Sequence, residues 1–366
     1  MEQSIQTASN QKERLIWVEI LRILACIAVI TIHVVSLPYE NTDISDFNWK
    51  VYNFLKSVTE FGVPVFLMFS GTFMLRKDIS ISVIFKKYIK RIAIAFLFWS
   101  TAYTALEAYS NFRSYGFFPL TRAIEYFING LAHFWYIYAL IALYLITPFL
   151  RKIVTDTKLT AYFLALTFIF SFVFPRTINL LEYCNIWQNL FLADELSWIL
   201  NKFNYLSVLQ IVFYYVSGYF LSNTKISGKA GYIIYCSGAL SVVLKILLTD
   251  ILSSQKGEIV ELLIGRTTVT TAFFAVSVYI FGKNVLSKIN FSEKSRKIIL
   301  SLSTSTFSIY LMHIFVMICV HAVFGLDAYS FTPVLSVPLT VTVIFVISYI
   351  ATIIIRKIPF LNRYIV

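Results

Sequence analysis

The sequence predicts an all-α polytopic membrane protein with about ten transmembrane helices and both termini in the cytoplasm. Three observations favour this class. Of the 366 residues, 58% are hydrophobic and only 14% are charged, whereas soluble domains carry about 25% charged residues. Apolar runs of about twenty residues, the length that spans a bilayer, recur along the whole chain. Between these runs, the basic residues gather in alternate loops.

The apolar runs place the spans in chain order. No small-residue cleavage site follows the first run, so we interpret it as a retained span and not as a signal peptide. We expect a short polar cytoplasmic tail at 1–13, a membrane domain at 14–358 and a cytoplasmic C-terminal tail at 359–366. The predicted spans lie near residues 15–37, 52–75, 84–109, 129–150, 158–175, 205–222, 230–249, 267–285, 298–323 and 333–355.

Loop charge sets the predicted orientation. About 21 of the 31 basic residues fall in loops on the side of the N-terminus and about eight on the other side, and basic residues favour the cytoplasmic side of a membrane. The opposite loops include the acidic segment 40–46 and the long connection 176–204. Residues 186–198 of that connection are rich in leucine and aromatic residues, and we expect them to lie along the interface as an amphipathic helix.

Charge and cysteine spacing exclude several classes of function. The net charge is +12, but the basic residues flank spans and form no separate domain, so we expect membrane lipids and not nucleic acid as partners. The four cysteines fall singly, without metal-ligand or disulfide-framework spacing, and we expect no metal site. The chain has no Gly-x-Ser-x-Gly elbow, phosphate loop or HExxH motif.

The first span carries a polar stripe. At about 100° per residue, Glu19, Arg22 and His33 fall on one narrow face of a helix, with Glu19 and Arg22 in i,i+3 contact range. A charged side chain at the centre of a span costs roughly 2.5–3.5 kcal/mol on the translocon scale, so this face must turn to the protein interior or to a water-filled cavity. A structural ion pair with a hydrogen-bonded histidine explains the stripe as well as a functional site does.

A dense basic cluster precedes the third span. It comprises Arg76, Lys77, Lys86, Lys87, Lys90 and Arg91. Lysine and arginine make charge-assisted hydrogen bonds to phosphates, so the cluster suits a polyanionic ligand that enters a cavity from the cytoplasm. Anionic lipid headgroups or topology signalling alone also explain it.

Six segments together resemble the acyltransferase 3 family of integral-membrane acyltransferases. WVEILRILA at 17–25, followed by His33, is similar to the family's acid-x-leucine-arginine start and first-span histidine, with Glu19 in place of the usual aspartate. FGVPVFLMFSG at 61–71 and HFWYIYALIALYLITP at 133–148 are similar to the second-span and fourth-span motifs. The other matching segments are 86–99, which lacks the family's clean arginine pair, 214–219 and 308–313.

The resemblance implies transfer of an acetyl group from cytoplasmic acetyl-CoA to a hydroxyl of an envelope glycan or lipid-linked sugar, in a bacterial cytoplasmic membrane. On this reading Lys87, Lys90 and Arg91 hold the donor phosphates. His33 acts as general base or transient nucleophile, because a neutral imidazole suits proton transfer near pH 7. Arg22 stabilises the oxyanion or holds a phosphate, and Glu19 fixes Arg22.

The remaining histidines and two aromatic residues have weaker assignments. The resemblance implies substrate contacts for Trp135, Tyr138 and His313, although packing explains them equally. His133 is typical of an interfacial anchor, with a site role as the alternative. We expect His321 to face interfacial water and Lys245 to snorkel outward.

Other functions fit the same features. A transporter or flippase of polysaccharide or lipid-linked sugar also needs a polar stripe and aromatic platforms, although no internal repeat is evident. Acylation of a small lipophilic molecule is a third reading. Succinyl or longer donors remain alternatives to acetyl, because the sequence gives no measure of pocket depth.

Overall fold

The computed structural model describes residues 15–76, 78–129, 131–183, 198, 206–226 and 228–364. These residues form helices and no strand, which confirms the predicted all-α class. The first half contains α1 (Ile16–Asn41), α2 (Phe47–Thr59), α3 (Gly62–Met74), α4 (Lys90–Tyr115), α5 (Leu120–Asn129), α6 (Trp135–Ile153), α7 (Thr157–Phe168) and α8 (Phe174–Tyr183). The second half contains α9 (Leu206–Asn223), α10 (Gly228–Lys256), α11 (Val269–Asn284), α12 (Glu293–Phe324), α13 (Pro333–Arg356) and α14 (Pro359–Tyr364).

Irregular helical segments join several of these helices. A π-helical segment, Ile84–Ile89, leads into α4, and a second one, Ile169–Val173, joins α7 to α8. A 3₁₀ turn, Ala132–Phe134, precedes α6. π-helical segments are rare and frequently occur at functional sites.

Eight segments of the described chain are long and apolar enough to cross a membrane. They are α1, α2 with α3, α6, α7 continuing into α8, α10, α11, α12 and α13. The two other predicted spans, 84–109 and 205–222, also form helices, α4 and α9, but these are less apolar. In α4 the hydroxyls of Ser100, Thr101 and Thr104, together with Glu107, lower the apolarity. The fold thus confirms eight such segments, and the count of ten spans stays a prediction.

Helix α1 lies at the centre of the bundle and packs against α2, α3, α11, α12 and α13. Helix α3 packs closely on α9, where a methyl group on Gly71 would lie 1.7 Å from the backbone carbonyl oxygen of Tyr215. A methyl group on Gly218 of α9 would lie 1.9 Å from the carbonyl oxygen of Met68. Small residues that let two backbones approach are the usual contact of membrane helices.

Side-chain hydrogen bonds link the helices at both ends of the bundle. We name the end at which α1 begins the N-terminal face and the opposite end the far face. Arg151 donates hydrogen bonds to the carbonyls of Met74 and Ile79 on the N-terminal face. On the far face, Tyr52 donates to the carbonyl of Ala328. Each face is therefore tied by contacts between helices distant in sequence.

The prediction that Lys245 snorkels outward is wrong. Its side chain is 0% exposed, and its Nζ lies 2.6 Å from Glu60 Oε2. Glu60 lies at the break between α2 and α3, and the break carries its carboxylate into the bundle opposite α10. A buried lysine is retained there because a buried carboxylate pairs with it.

Two other expectations meet the described residues only in part. Residues 359–364, predicted as a free tail, form α14, which packs against α4 and α13. Of the predicted interfacial helix at 186–198, all but Trp198 lies outside the described residues. His321 is 64% exposed, as predicted, and lies 3.2 Å from Asp327.

Candidate functional site

A cavity of about 760 Å³ opens between α1, α3, α4, α6 and α12 at the N-terminal face. Its volume falls within the range of roughly 300–1,000 Å³ typical of small-molecule sites. The charged lining residues are Glu19, Arg22, Arg91 and Arg356, so three guanidinium groups face one carboxylate. The other lining residues include Tyr88, Tyr136, Ser303, Phe307, Tyr310 and Asn362.

The first-span ion pair lies in the cavity wall. Arg22 Nη1 is 3.5 Å from Glu19 Oε2, as the i,i+3 spacing predicts. Ser303 of α12 donates a hydrogen bond to the same carboxylate oxygen. The Glu19 side chain is 7% exposed and that of Arg22 is 36% exposed. The carboxylate thus lies in the wall while the guanidinium faces the open space.

The two other arginines reach the cavity from elements far apart in the chain. Arg91 belongs to the first turn of α4, and its guanidinium carbon lies 6.0 Å from the ring centre of Phe307. Arg356 ends α13, next to the short helix α14 that contributes Asn362. The Arg356 charge acts on Arg91 electrostatically, so the two like charges lie near each other. The two like charges make this part of the cavity electropositive.

Two tyrosines line the cavity beside the histidines described below. The rings of Tyr136 and Tyr310 line the cavity and lie 5.2 Å apart. The hydroxyl of Tyr310 donates a hydrogen bond to the backbone carbonyl of His133. Tyr310 therefore belongs at once to the cavity wall and to the packing around His133.

Three histidines meet directly behind Tyr310. The ring of His313 lies 5.1 Å from that of His33 and 5.1 Å from that of His133, and His33 and His133 are 6.1 Å apart. They come from α1, from the 3₁₀ turn before α6 and from α12. We name His33, His133 and His313 the histidine cluster. Spacing within the chain could not have brought three such distant residues together.

Hydrogen bonding fixes one ring of the cluster. Nδ1 of His313 lies 2.6 Å from the carbonyl oxygen of Tyr310. A carbonyl can only accept, so Nδ1 carries the proton, and Nε2 of a neutral ring bears the lone pair. This Nε2 is buried and has no hydrogen-bond partner among the described residues. His313 is thus set up to accept a proton or a hydrogen bond.

Aromatic and apolar side chains surround the histidine cluster. Tyr103 packs at 5.6 Å from the His133 ring, and its hydroxyl donates to the carbonyl of Leu311 and accepts from the N–H of Phe315. Both His133 and His313 are 1% exposed. No group of three or more histidine, cysteine or carboxylate side chains in the described parts of the chain is placed to hold a metal ion.

The predicted donor-binding residues take different positions. Arg91 lines the cavity, whereas Lys87 and Lys90 do not and are exposed. Lys87 Nζ lies 5.8 Å from the ring centre of Tyr88, a lining residue, so it stands beside the cavity mouth. Arg91 is thus the member of the basic cluster that lines the cavity together with Arg22.

The predicted substrate residues are also divided. His313 joins the histidine cluster. Trp135 is half-buried near the far face, and the guanidinium carbon of Arg266 lies 4.1 Å from its ring centre. Tyr138 faces another way, because its hydroxyl donates to the carbonyl of Ile128 and its ring packs 5.2 Å from Phe96. Nothing brings Tyr138 to the cavity or to the cluster.

Sequence reasoning missed several residues of this site. Arg356 carries no distinguishing signal, because a basic residue at a helix end reads as an orientation signal. Ser303 and Tyr310 resemble ordinary polar residues of a packed span. The spacing of Tyr310 and His313, three residues apart on one helix, was the available sign that both face the same neighbour.

Comparisons with known proteins show the family of the chain. A search of curated proteins and a search of solved structures each found no match. Residues 15–356 match the acyltransferase domain that defines the acyltransferase 3 family. The match includes the three residues of the histidine cluster and every cavity-lining residue named above except Asn362. The chain therefore belongs to the acyltransferase 3 family and is a multi-pass membrane protein with an acyltransferase domain.

Proposed function

We propose that this protein transfers an acetyl group from acetyl-CoA to a hydroxyl of an envelope glycan or lipid-linked sugar, in a bacterial cytoplasmic membrane. The observation that carries the proposal is the position of Tyr310. Its ring lines the arginine-rich cavity and also packs against His133 and His313, at 5.7 and 5.8 Å. A donor in the cavity and a base in the cluster are separated by this one side chain.

The cavity suits the donor. Coenzyme A carries a diphosphate and a further phosphate, and arginine binds phosphate oxygens in a bidentate fork. Arg22, Arg91 and Arg356 supply three such forks. In the proposed orientation the N-terminal face is cytoplasmic, so the donor enters from the compartment that contains it. Lys87 beside the mouth attracts the polyanion at longer range.

The cluster suits the transfer step. His33 accepts the proton of the acceptor hydroxyl, whose oxygen attacks the thioester carbonyl carbon. The carbon–sulfur bond breaks as the carbon–oxygen bond of the ester forms, and the imidazolium returns its proton to the departing thiolate. His313 packs beside His33, with ring centres 5.1 Å apart, and holds the His33 imidazole in place. Arg22 neutralises charge on the donor side.

One experiment separates this function from that of a flippase. The purified protein in lipid nanodiscs is given acetyl-CoA and a crude envelope glycan fraction, and free coenzyme A and glycan-bound acetyl are both measured. We expect equal amounts of free coenzyme A and glycan-bound acetyl. We expect neither product when the hydroxyls of the glycan are chemically blocked beforehand. Glycan movement across proteoliposomes without acetyl-CoA, and no ester formation with it, would establish the transporter instead.

The same assay with succinyl-CoA and longer acyl-CoA donors tests which acyl group is transferred. Tyr136 and Tyr310 line the cavity and pack against each other, with ring centres 5.2 Å apart. Because Tyr310 also packs against the cluster, a longer acyl group needs more room beside these rings, and we expect acetyl to be transferred fastest. Faster succinyl transfer would change the donor but not the reaction class.

A further inference from the structure

A second positive site lies on the other side of the histidine cluster from the donor cavity. It lies in the far-face loop between α10 and α11, residues 257–268. The guanidinium of Arg266 stacks on the indole of Trp135, 4.1 Å from its ring centre. The Trp135 ring lies 6.2 Å from that of Tyr136, which packs against Tyr310 beside the cluster. Arg266 does not line the donor cavity.

Contacts with other helices hold the backbone of the loop around Arg266 in place. The hydroxyl of Tyr214 donates to the carbonyl of Arg266 at 3.0 Å. The N–H of Gly265 donates to the Glu60 carboxylate, which also pairs with Lys245. Gly265 has φ of +113°, a backbone conformation that side chains disfavour. The buried ion pair therefore acts as a scaffold that positions the loop.

A second arginine binds the same loop. Arg176 of α8 donates from Nη2 to Thr267 Oγ1 at 2.7 Å, one residue along the loop from Arg266. Within the described residues, neither arginine makes an ion pair with a carboxylate. Arg266 is exposed and Arg176 is half-buried. Arg176 lies within the electrostatic influence of Glu60 and Glu261, whereas no carboxylate in the described part of the chain acts on Arg266 in the same way.

Stacking leaves the edge of a guanidinium available. The face of Arg266 is covered by indole, and its N–H groups lie in the plane, where they form a bidentate fork for an oxyanion. A rigid fork binds phosphate or carboxylate more specifically than a mobile lysine does.

We propose that Arg266, on the loop to which Arg176 also binds, holds an anionic group of the acceptor and so places its hydroxyl at the histidine cluster. The acceptor is then an acidic sugar, and its charge is the phosphate of a lipid-linked sugar or the carboxylate of a uronic-acid unit. This inference rests on the proposed function. It adds that the acceptor site selects for negative charge, whereas the donor site reads the phosphates of coenzyme A.

The test measures acetyl transfer in nanodiscs of zwitterionic lipid with three acceptors. They are a polyprenyl diphosphate sugar, a uronic-acid methyl glycoside and the neutral methyl glycoside of the same sugar. Arg266→Gln should raise KM for the anionic acceptors about tenfold to hundredfold, the worth of a charge-assisted hydrogen bond, and leave KM for the neutral one unchanged. The diphosphate and the carboxylate arms show which anion the site prefers.

Matched variants separate recognition from folding. Arg266→Lys keeps the charge but loses the fork, and should fall between wild type and Arg266→Gln. Arg176→Gln should have a smaller effect in the same direction. Arg113→Gln, an exposed arginine in the last turn of α4, should behave as wild type. KM for acetyl-CoA should be unchanged in all four variants.

The possible failures are distinguishable. If wild type transfers acetyl equally well to neutral and anionic acceptors and Arg266→Gln changes neither, the acceptor-charge inference is overturned while the transferase function stands. An equal loss with all acceptors would assign Arg266 a structural role and also overturn it. If wild type acetylates nothing and acetyl-CoA does not bind, the proposed function itself fails.

Discussion

The hydroxyl of Tyr310 donates a hydrogen bond to the backbone carbonyl of His133, and the ring of the same tyrosine lines the arginine-rich cavity. This contact joins α12 to the turn that precedes α6. It sets the distance between the cavity and the histidine cluster. Both sides of the proposed reaction therefore depend on one side chain whose hydroxyl and ring have separate partners.

Tyr310→Phe removes the hydroxyl and keeps the ring. The His133 carbonyl then loses its donor in a buried position, which costs about 1–3 kcal/mol of stability. We expect kcat to fall about tenfold or more, because the His133 turn is less firmly placed, while KM for acetyl-CoA is unchanged. Steady-state kinetics and thermal unfolding in nanodiscs measure the two effects. Tyr329→Phe, on the exposed far-face loop, is the control, and an equal loss there would reject the explanation.

Arg356→Gln tests the donor cavity. Because Arg356 is proposed to bind a phosphate, KM for acetyl-CoA should rise about tenfold, the worth of one charge-assisted bond, with little change in kcat. Acetyl-pantetheine lacks the phosphates of the nucleotide end, so its KM should not respond. Lys357→Gln changes the adjacent exposed residue and serves as the matched control. A rise in KM for both donors would place Arg356 in the fold and not at a phosphate.

The Glu60–Lys245 pair should matter for folding. Both residues are buried, and removing one partner leaves an uncompensated charge at a cost of about 3–5 kcal/mol. Lys245→Met and Glu60→Gln should each lower thermal stability strongly, and the double variant should lose less than the sum of the two. The exposed pair Lys256–Glu258 supplies the control, for which Lys256→Met should have no resolvable effect. Additive losses at Glu60 and Lys245 would show that the two residues do not interact.

The sequence predicted the helices and one half of the site. Helical spacing placed Glu19 and Arg22 in contact, and both lie in the cavity wall. His33 was singled out on the same stripe, and it stands in the cluster. The contact between Glu19 and Arg22 is confirmed because it concerns neighbours on one helix, for which geometry is local, and the catalytic role of His33 stays a prediction.

The remaining half depends on packing between distant segments. His133 was interpreted as an interfacial anchor because an aromatic run follows it, yet it is 1% exposed against His313. Lys245 was expected to snorkel, since no local feature reveals a carboxylate on another helix. The exposed position of Tyr138 and the stacking of Arg266 on Trp135 depend in the same way on contacts across the bundle.

In the proposed reaction, an imidazole of the histidine cluster performs the proton transfer. The most direct test compares acetyl transfer by His33→Ala and His321→Ala in nanodiscs, after membrane insertion and acetyl-CoA binding are found normal. Loss of a positioned general base costs about 10²–10⁴-fold in rate. We predict that loss in His33→Ala and none in His321→Ala, whose histidine is exposed at the far face. Transfer at the wild-type rate by His33→Ala would contradict the account.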